Sequence, residues 1–183
     1  IGVIKSSNLC AEIVEYSNKN ETAVCNLASI ALPKFIDKNK KKYDYKNLYE
    51  TAKLATKNLD QVIDINFYPT NKTDKSNNLH RPIGLGIQGL SDVFFKLSIA
   101  HDSKEASKIN KLIFETIYFG ALEASMELAK EKGVYSSYEG SPLSEGKFQF
   151  DLWNTKPSDM WDWDSLKNKI KKHGVRNSLT TAC

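Results

Sequence analysis

Between Ile109 and Leu128, apolar or small residues recur at steps of three and four: Ile109, Leu112, Ile113, Thr116, Ile117, Gly120, Ala124 and Leu128. This is the stripe of a long helix seen along one face. Asp102-Ser103-Lys104-Glu105 supplies a start signal, an acidic cap with Glu three residues later, and Gly133 a natural stop. Such a helix runs roughly 45 Å, enough to cross most of a domain. A chain of 183 residues built around it is expected to form one domain. Leu48, Ala52, Ala55, Leu59, Val62 and Ile63 predict a second amphipathic helix from Tyr45 to about Asn66.

The remaining segments alternate with these helices. Thr22 to Leu32 is nearly all apolar or small and reads as a strand buried on both faces, closed by Pro33. Ser17-Asn18-Lys19-Asn20 reads as a turn, and Lys38 to Lys42 as a solvated loop. Pro69 and the polar tract Asn71 to Asn78 predict another loop. An apolar segment runs from Pro82 to about Leu97. Tyr135 to Trp163 lacks a helical period, and its density of aromatic residues predicts a long surface segment packed down in order. Asp164 or Ser165 would cap a last helix ending at Gly174, and Val175 to Cys183 is strand-like.

Composition excludes several classes. No run reaches the roughly 18 apolar residues of a membrane span, and no signal peptide is present. A net charge of +4 does not argue for a nucleic-acid partner. Three cysteines, none in a C-x-x-C pair, fit a reducing, cytoplasmic setting and not a structural zinc site. The chain opens on Ile1 rather than Met, which reads as a piece of something longer.

Chemistry concentrates near the start. Asn8, Cys10 and Glu12 alternate within five residues, and Cys25 follows fifteen residues after Cys10. In a flat strand Asn8 and Glu12 would lie about 13 Å apart at roughly 3.3 Å per residue, too far to touch one sugar ring. Acting together, they require a tight loop. The bland alternative is a strand with an incidental buried cysteine. Cys25 reads either as a small core residue or as a redox thiol, which needs a second sulfur, in principle Cys10, to give up two electrons. Gly84-Leu85-Gly86-Ile87-Gln88-Gly89 spells G-x-G-x-x-G, but Pro82 argues against a central strand there, and Asp102 comes too early for the acidic partner. The glycines fit close packing or a turn better than a nicotinamide site. His80, His101 and His173 are read as surface residues, and Trp161-Asp162-Trp163-Asp164 as loop packing.

Ser7-Asn8-Leu9-Cys10-Ala11-Glu12-Ile13 followed by Ala23-Val24-Cys25-Asn26-Leu27-Ala28-Ser29 resembles the catalytic region of the class I ribonucleotide reductase large subunit, eukaryotic type. The likeness continues through Asp64-Ile65-Asn66, His80-Arg81-Pro82-Ile83-Gly84, Phe114 to Tyr118, Ala121 to Ser125, Tyr138-Glu139-Gly140-Ser141-Pro142 and Arg176-Asn177-Ser178-Leu179. It implies an α/β fold, residues 1–183 being part of a ten-stranded α/β barrel with long amphipathic helices and a catalytic loop.

The resemblance also implies roles. Cys10 would carry a thiyl radical that abstracts the 3′ hydrogen of a ribonucleoside diphosphate. Glu12 would take the 3′-hydroxyl proton, Asn8 would hold the ribose hydroxyls, and Leu9 would line the substrate. Cys25 would be half of a redox disulfide whose other half lies outside this chain. A phosphate-holding loop would follow Ala182, where Cys183 departs from the family pattern. The implied parent is a homodimer of large subunits working with a di-iron, tyrosyl-radical small subunit, under ATP and dNTP effectors, and reduced by thioredoxin or glutaredoxin. No cofactor is expected on this segment, which is expected to be inactive alone. The competing reading is a non-catalytic interaction module in which Asn8, Cys10 and Glu12 are only structural.

Overall fold

The computed structural model describes residues 3–5, 7, 14–24, 26–37 and 42–181. Its frame is a parallel three-stranded sheet in the order β1-β4-β5. In chain order the elements are β1 (Leu27–Ala31), a 3-10 turn (Leu32–Phe35), a small antiparallel hairpin of β2 (Ile36–Asp37) and β3 (Lys42–Tyr43), α1 (Tyr45–Ile65), α2 (Asn71–His80), β4 (Pro82–Gln88), α3 (Leu90–Leu97), α4 (Lys104–Lys132), α5 (Gln149–Leu152), α6 (Trp163–His173) and β5 (Ser178–Thr181). Helices thus separate successive strands of the sheet, as parallel pairing requires.

Both long helices form where their stripes place them. Asp44 caps α1 by accepting from the Asn47 amide at 3.0 Å. Leu48, Ala52, Thr56, Leu59, Asp60 and Ile63 make its buried face. In α4 the cap is Ser103, whose hydroxyl accepts from the Ala106 amide at 3.1 Å, and not Asp102. Gly133 ends α4 as expected, at φ 82°. The two helices pack closely at Gly120, where an added Cβ would stand 2.9 Å from the Tyr49 carbonyl oxygen and 3.3 Å from Ala52 Cβ.

Several expectations are corrected. The first strand is shorter than Thr22 to Leu32 and is not buried on both faces: Leu27 is 46% exposed. Small residues raised the apolar impression there without supplying a second buried face. The apolar segment from Pro82 splits into β4 and α3 at Gly89, which adopts φ 78° as the α3 cap. Pro82 does not block a central strand, because it is the first residue of β4 and its missing donor falls at the strand end. The tract from Asn71 is a helix, not a loop. Thr70 and Thr73 form a reciprocal capping box, and the buried face is polar: Thr73, Ser76 and Asn77. An apolar period could not reveal it.

One core cluster joins Ile30, Leu32 and Leu85 to Leu48, Ala52, Ile113 and Ile117. A second gathers the aromatic segment expected to pack down: Tyr135, Tyr138, Phe148 and Trp163 against Phe119, Leu122 and Met126. Trp161 stacks on both Phe119 and Tyr49, with centroids 5.0 and 4.9 Å away. The last helix is capped by Asp162, ahead of the expected Asp164 or Ser165, and stops at Gly174. Among the described residues no helix is long and apolar enough to cross a membrane.

Candidate functional site

Asn8, Leu9, Cys10, Glu12, Cys25 and Cys183 lie outside the described residues. What the structure gives is the framework on either side of them, and that framework is anchored by buried polar contacts. Cys25 is flanked by Val24 and Asn26 in the sequence. Asn26 is 5% exposed. Its side-chain amide donates to Asn77 Oδ1 at 2.8 Å and to the Pro82 carbonyl at 2.9 Å, while its own carbonyl accepts from the Gly84 amide at 2.9 Å. Asn77, fully buried, also donates to the Tyr68 hydroxyl. Upstream, the Asn18–Glu21 bridge closes the expected turn, the Ala23 amide donates to Ser17 Oγ at 2.9 Å, and the Thr22 amide donates to the Lys72 carbonyl at 3.1 Å.

His80 is not a surface residue. Its side chain is 15% exposed, and Nε2 lies 2.9 Å from Glu21 Oε2, a carboxylate side chain itself 9% exposed. Nδ1 shares a 2.6 Å hydrogen bond with Ser137 Oγ. His101, in contrast, is exposed, with its ring edge-on to Phe94. His80 and Ser137 line a cavity of about 500 Å³ together with Val14, Glu15, Tyr16 and Ser178. The Glu139 to Pro142 stretch closes another side of it. Burial pushes the Glu15 carboxyl up to about 7, so near neutrality it is poised between its neutral and charged forms.

Beneath this cavity the starts of two strands are clamped together. Arg81, held at φ 44° just before β4, donates to Asp60 Oδ1 from Nε at 3.0 Å and from Nη2 at 2.7 Å, to the Asp60 carbonyl at 2.9 Å, and to Asp64 at 2.8 Å. Asn177, just before β5, donates to the same Asp60 oxygen at 2.9 Å. Asp60 and Asn177 are both fully buried. Burial works against the charged form of Asp64, but the Arg81 bond and charge outweigh it and hold its carboxyl below the usual range. Arg176 is lowered by burial first and then by the neighbouring Arg81 charge. The backbone strain of a non-glycine residue at positive φ is thus offset by a guanidinium that makes four hydrogen bonds.

The dinucleotide reading of Gly84 to Gly89 does not match this geometry. Gly84 and Gly86 pair within the sheet, opposite Leu27 and Ser29, whereas the fingerprint places its first glycine in a turn after the strand. Only Gly89 turns, and an added Cβ there would meet Pro33 Cδ at 2.8 Å. Among the described residues no group of three or more His, Cys, Asp or Glu side chains could hold a metal ion. Sequence reasoning missed Asp60, Asn77, Glu21 and Ser137. Thr70, a cap residue directly after Pro69, was the available signal for the helix carrying Asn77 and His80.

Parallel strands joined through helices, with buried polar side chains at the strand starts, make this a segment of an α/β domain. The family model for the ribonucleotide reductase barrel domain matches residues 1–183, and the chain belongs to that family. It is 55% identical over 182 residues to the ribonucleoside-diphosphate reductase large chain of Schizosaccharomyces pombe, covering all of this chain and 22% of the relative. To large chain 2 of Saccharomyces cerevisiae it is 56% identical over 186 residues, covering all of this chain and 21% of the relative. To the large subunit of Plasmodium falciparum it is 55% identical over 183 residues, covering all of this chain and 23% of the relative. The chain therefore spans about a fifth of the length of these curated relatives.

Proposed function

We propose that residues 1–183 are part of the catalytic barrel of a ribonucleoside-diphosphate reductase large subunit, and that Asn8, Cys10, Glu12 and Cys25 carry its chemistry. The observation that carries this reading is the Asn8-x-Cys10-x-Glu12 segment with Cys25 fifteen residues on, inside a chain that matches the barrel-domain family from end to end. Cys10, as a thiyl radical, takes the 3′ hydrogen of the ribonucleoside diphosphate. Glu12 removes the 3′-hydroxyl proton as general base, and Asn8 and Leu9 hold the sugar. The 2′-hydroxyl leaves as water. Cys25 and a cysteine outside this chain supply two electrons and two protons and close into a disulfide. The net change is ribonucleotide plus dithiol to deoxyribonucleotide plus disulfide plus water.

On this reading the whole barrel has ten strands, of which β1, β4 and β5 are three. The parent is a cytoplasmic homodimer that takes its radical from a di-iron, tyrosyl-radical small subunit, responds to ATP and dNTP effectors, and is re-reduced by thioredoxin or glutaredoxin. Cys183 has no part in that exchange. Deoxynucleotide formation by the full-length protein carrying Cys10→Ser, with the small subunit and a dithiol, tests the reading. Loss of turnover is expected, and retained turnover would favour the non-catalytic module instead.

A further inference from the structure

We propose that α2 is the platform that sets the backbone on either side of Cys25, with Asn77 and His80 as positioning residues for the redox couple; this rests on the reading of Cys25 as a redox thiol. The helix has almost no apolar inventory, and its buried face holds Thr73, Ser76 and Asn77. Its order is therefore not explained by hydrophobic burial. What it does contact is the chain leading into and out of position 25. Lys72 accepts from Thr22, His80 holds Glu21, and Asn77 pairs with Asn26. These grips fall four and three residues before Cys25 and one residue after it. Two of them are tied onward, one to α1 and one to the Ser137 backbone docked on the end of α2. Asn77 binds Tyr68, whose hydroxyl donates to the Ile63 carbonyl of α1 at 2.7 Å. His80 binds Ser137, whose amide donates to the Leu79 carbonyl at 3.2 Å.

A disulfide tolerates a narrow range of geometry, with Cα atoms about 4.4–6.8 Å apart and a dihedral near a right angle. Strain in the oxidised form makes it easier to reduce. Groups that fix the residues on either side of a redox cysteine consequently bear on its dithiol–disulfide equilibrium. Truncating Asn77 leaves the buried Asn26 amide short of a partner, and truncating His80 leaves Glu21 Oε2 without its partner, Oε1 keeping only the Asn18 amide at 3.1 Å. Either change leaves Cys25 itself intact but frees one side of the segment, so closing the disulfide must order a looser backbone and the dithiol is favoured.

The test uses the full-length protein equilibrated in glutathione buffers, with alkylation and peptide mass reading the oxidised fraction of Cys25. Asn77→Ala and His80→Ala are expected to shift the equilibrium constant toward the dithiol by about tenfold, which is about 30 mV for this two-electron couple. Glu21→Gln keeps an acceptor for His80 and is expected to stay within about twofold of the unchanged protein, while Glu21→Ala behaves like His80→Ala. Thermal unfolding run alongside identifies variants that lose structure; His80, being partly exposed, carries the test alone if Asn77→Ala does not fold. Equilibrium constants unmoved in folded His80→Ala and Asn77→Ala protein would overturn the inference. A parent in which Cys25 never enters a disulfide would instead overturn the redox reading on which it rests.

Discussion

Arg81 has two carboxylate partners in very different surroundings, so removing each in turn should have very different costs. Asp60 is fully buried and accepts from two Arg81 nitrogens and from Asn177. Asp64 accepts from one Arg81 nitrogen and its side chain is 43% exposed. Breaking a buried pair from one side costs about 3–5 kcal/mol, because the surviving charge stays buried. Asp60→Ala belongs at the lower end, about 3 kcal/mol, since Asp64 continues to hold Arg81. Asp64→Ala loses a solvent-screened contact and should cost no more than about 1 kcal/mol. The strands that start at Arg81 and Asn177 report the difference directly. Amide hydrogen exchange of β4 and β5 in the full-length protein should accelerate about 100-fold in Asp60→Ala and no more than about fivefold in Asp64→Ala, at about 1.4 kcal/mol per decade. Equal acceleration in the two variants would refute the argument that the buried carboxylate, and not the exposed one, carries the clamp.

Gly120→Ala should lower the stability of the α1–α4 packing by about 1–3 kcal/mol, read as a lower thermal unfolding temperature, because the new methyl meets the Tyr49 carbonyl oxygen at 2.9 Å. A neutral result would mean that the helices separate without cost. Glu15 gives a pH prediction. Its folded pKa is raised from 4.5 to about 7, so the neutral form is favoured on folding; that contribution is complete below about pH 4.5 and is lost as pH rises through 7. Glu15→Gln should therefore flatten the fall in unfolding temperature between pH 5 and pH 7.5, and an unchanged pH profile would remove Glu15 as its source.

The long helices were legible because their cores are apolar and periodic. Leu48, Ala52, Leu59 and Ile63 announce α1, and the stripe through Ile113 and Ile117 announces α4. The aromatic segment was legible for a related reason, since Trp161 and Trp163 cannot remain in water at little cost. The polar framework was not legible. Asn77, Asp60 and Asn177 are buried through hydrogen bonds to residues 20 or more positions away, and no local pattern encodes such partners. His80 illustrates the limit: among polar neighbours it reads as exposed, yet Glu21 and Ser137 enclose it from 59 and 57 residues away. Pro82 misled in the other direction, because a proline is excluded from the middle of a central strand but not from its first position. Asn8, Cys10, Glu12 and Cys25 were read from a motif, and what the described framework anchors is Glu21, Thr22, Ala23 and Asn26 on either side of position 25.

The central claim is that Cys10 starts the reaction and Cys25 supplies its electrons. The most direct measurement is a single turnover by the pre-reduced full-length protein with its small subunit and no external reductant, with deoxynucleotide counted and cysteines mapped afterwards. The account predicts product together with a disulfide joining Cys25 to a cysteine outside residues 1–183, and neither in Cys10→Ser. Product formed by Cys10→Ser, or product formed while Cys25 remains a free thiol, would contradict it.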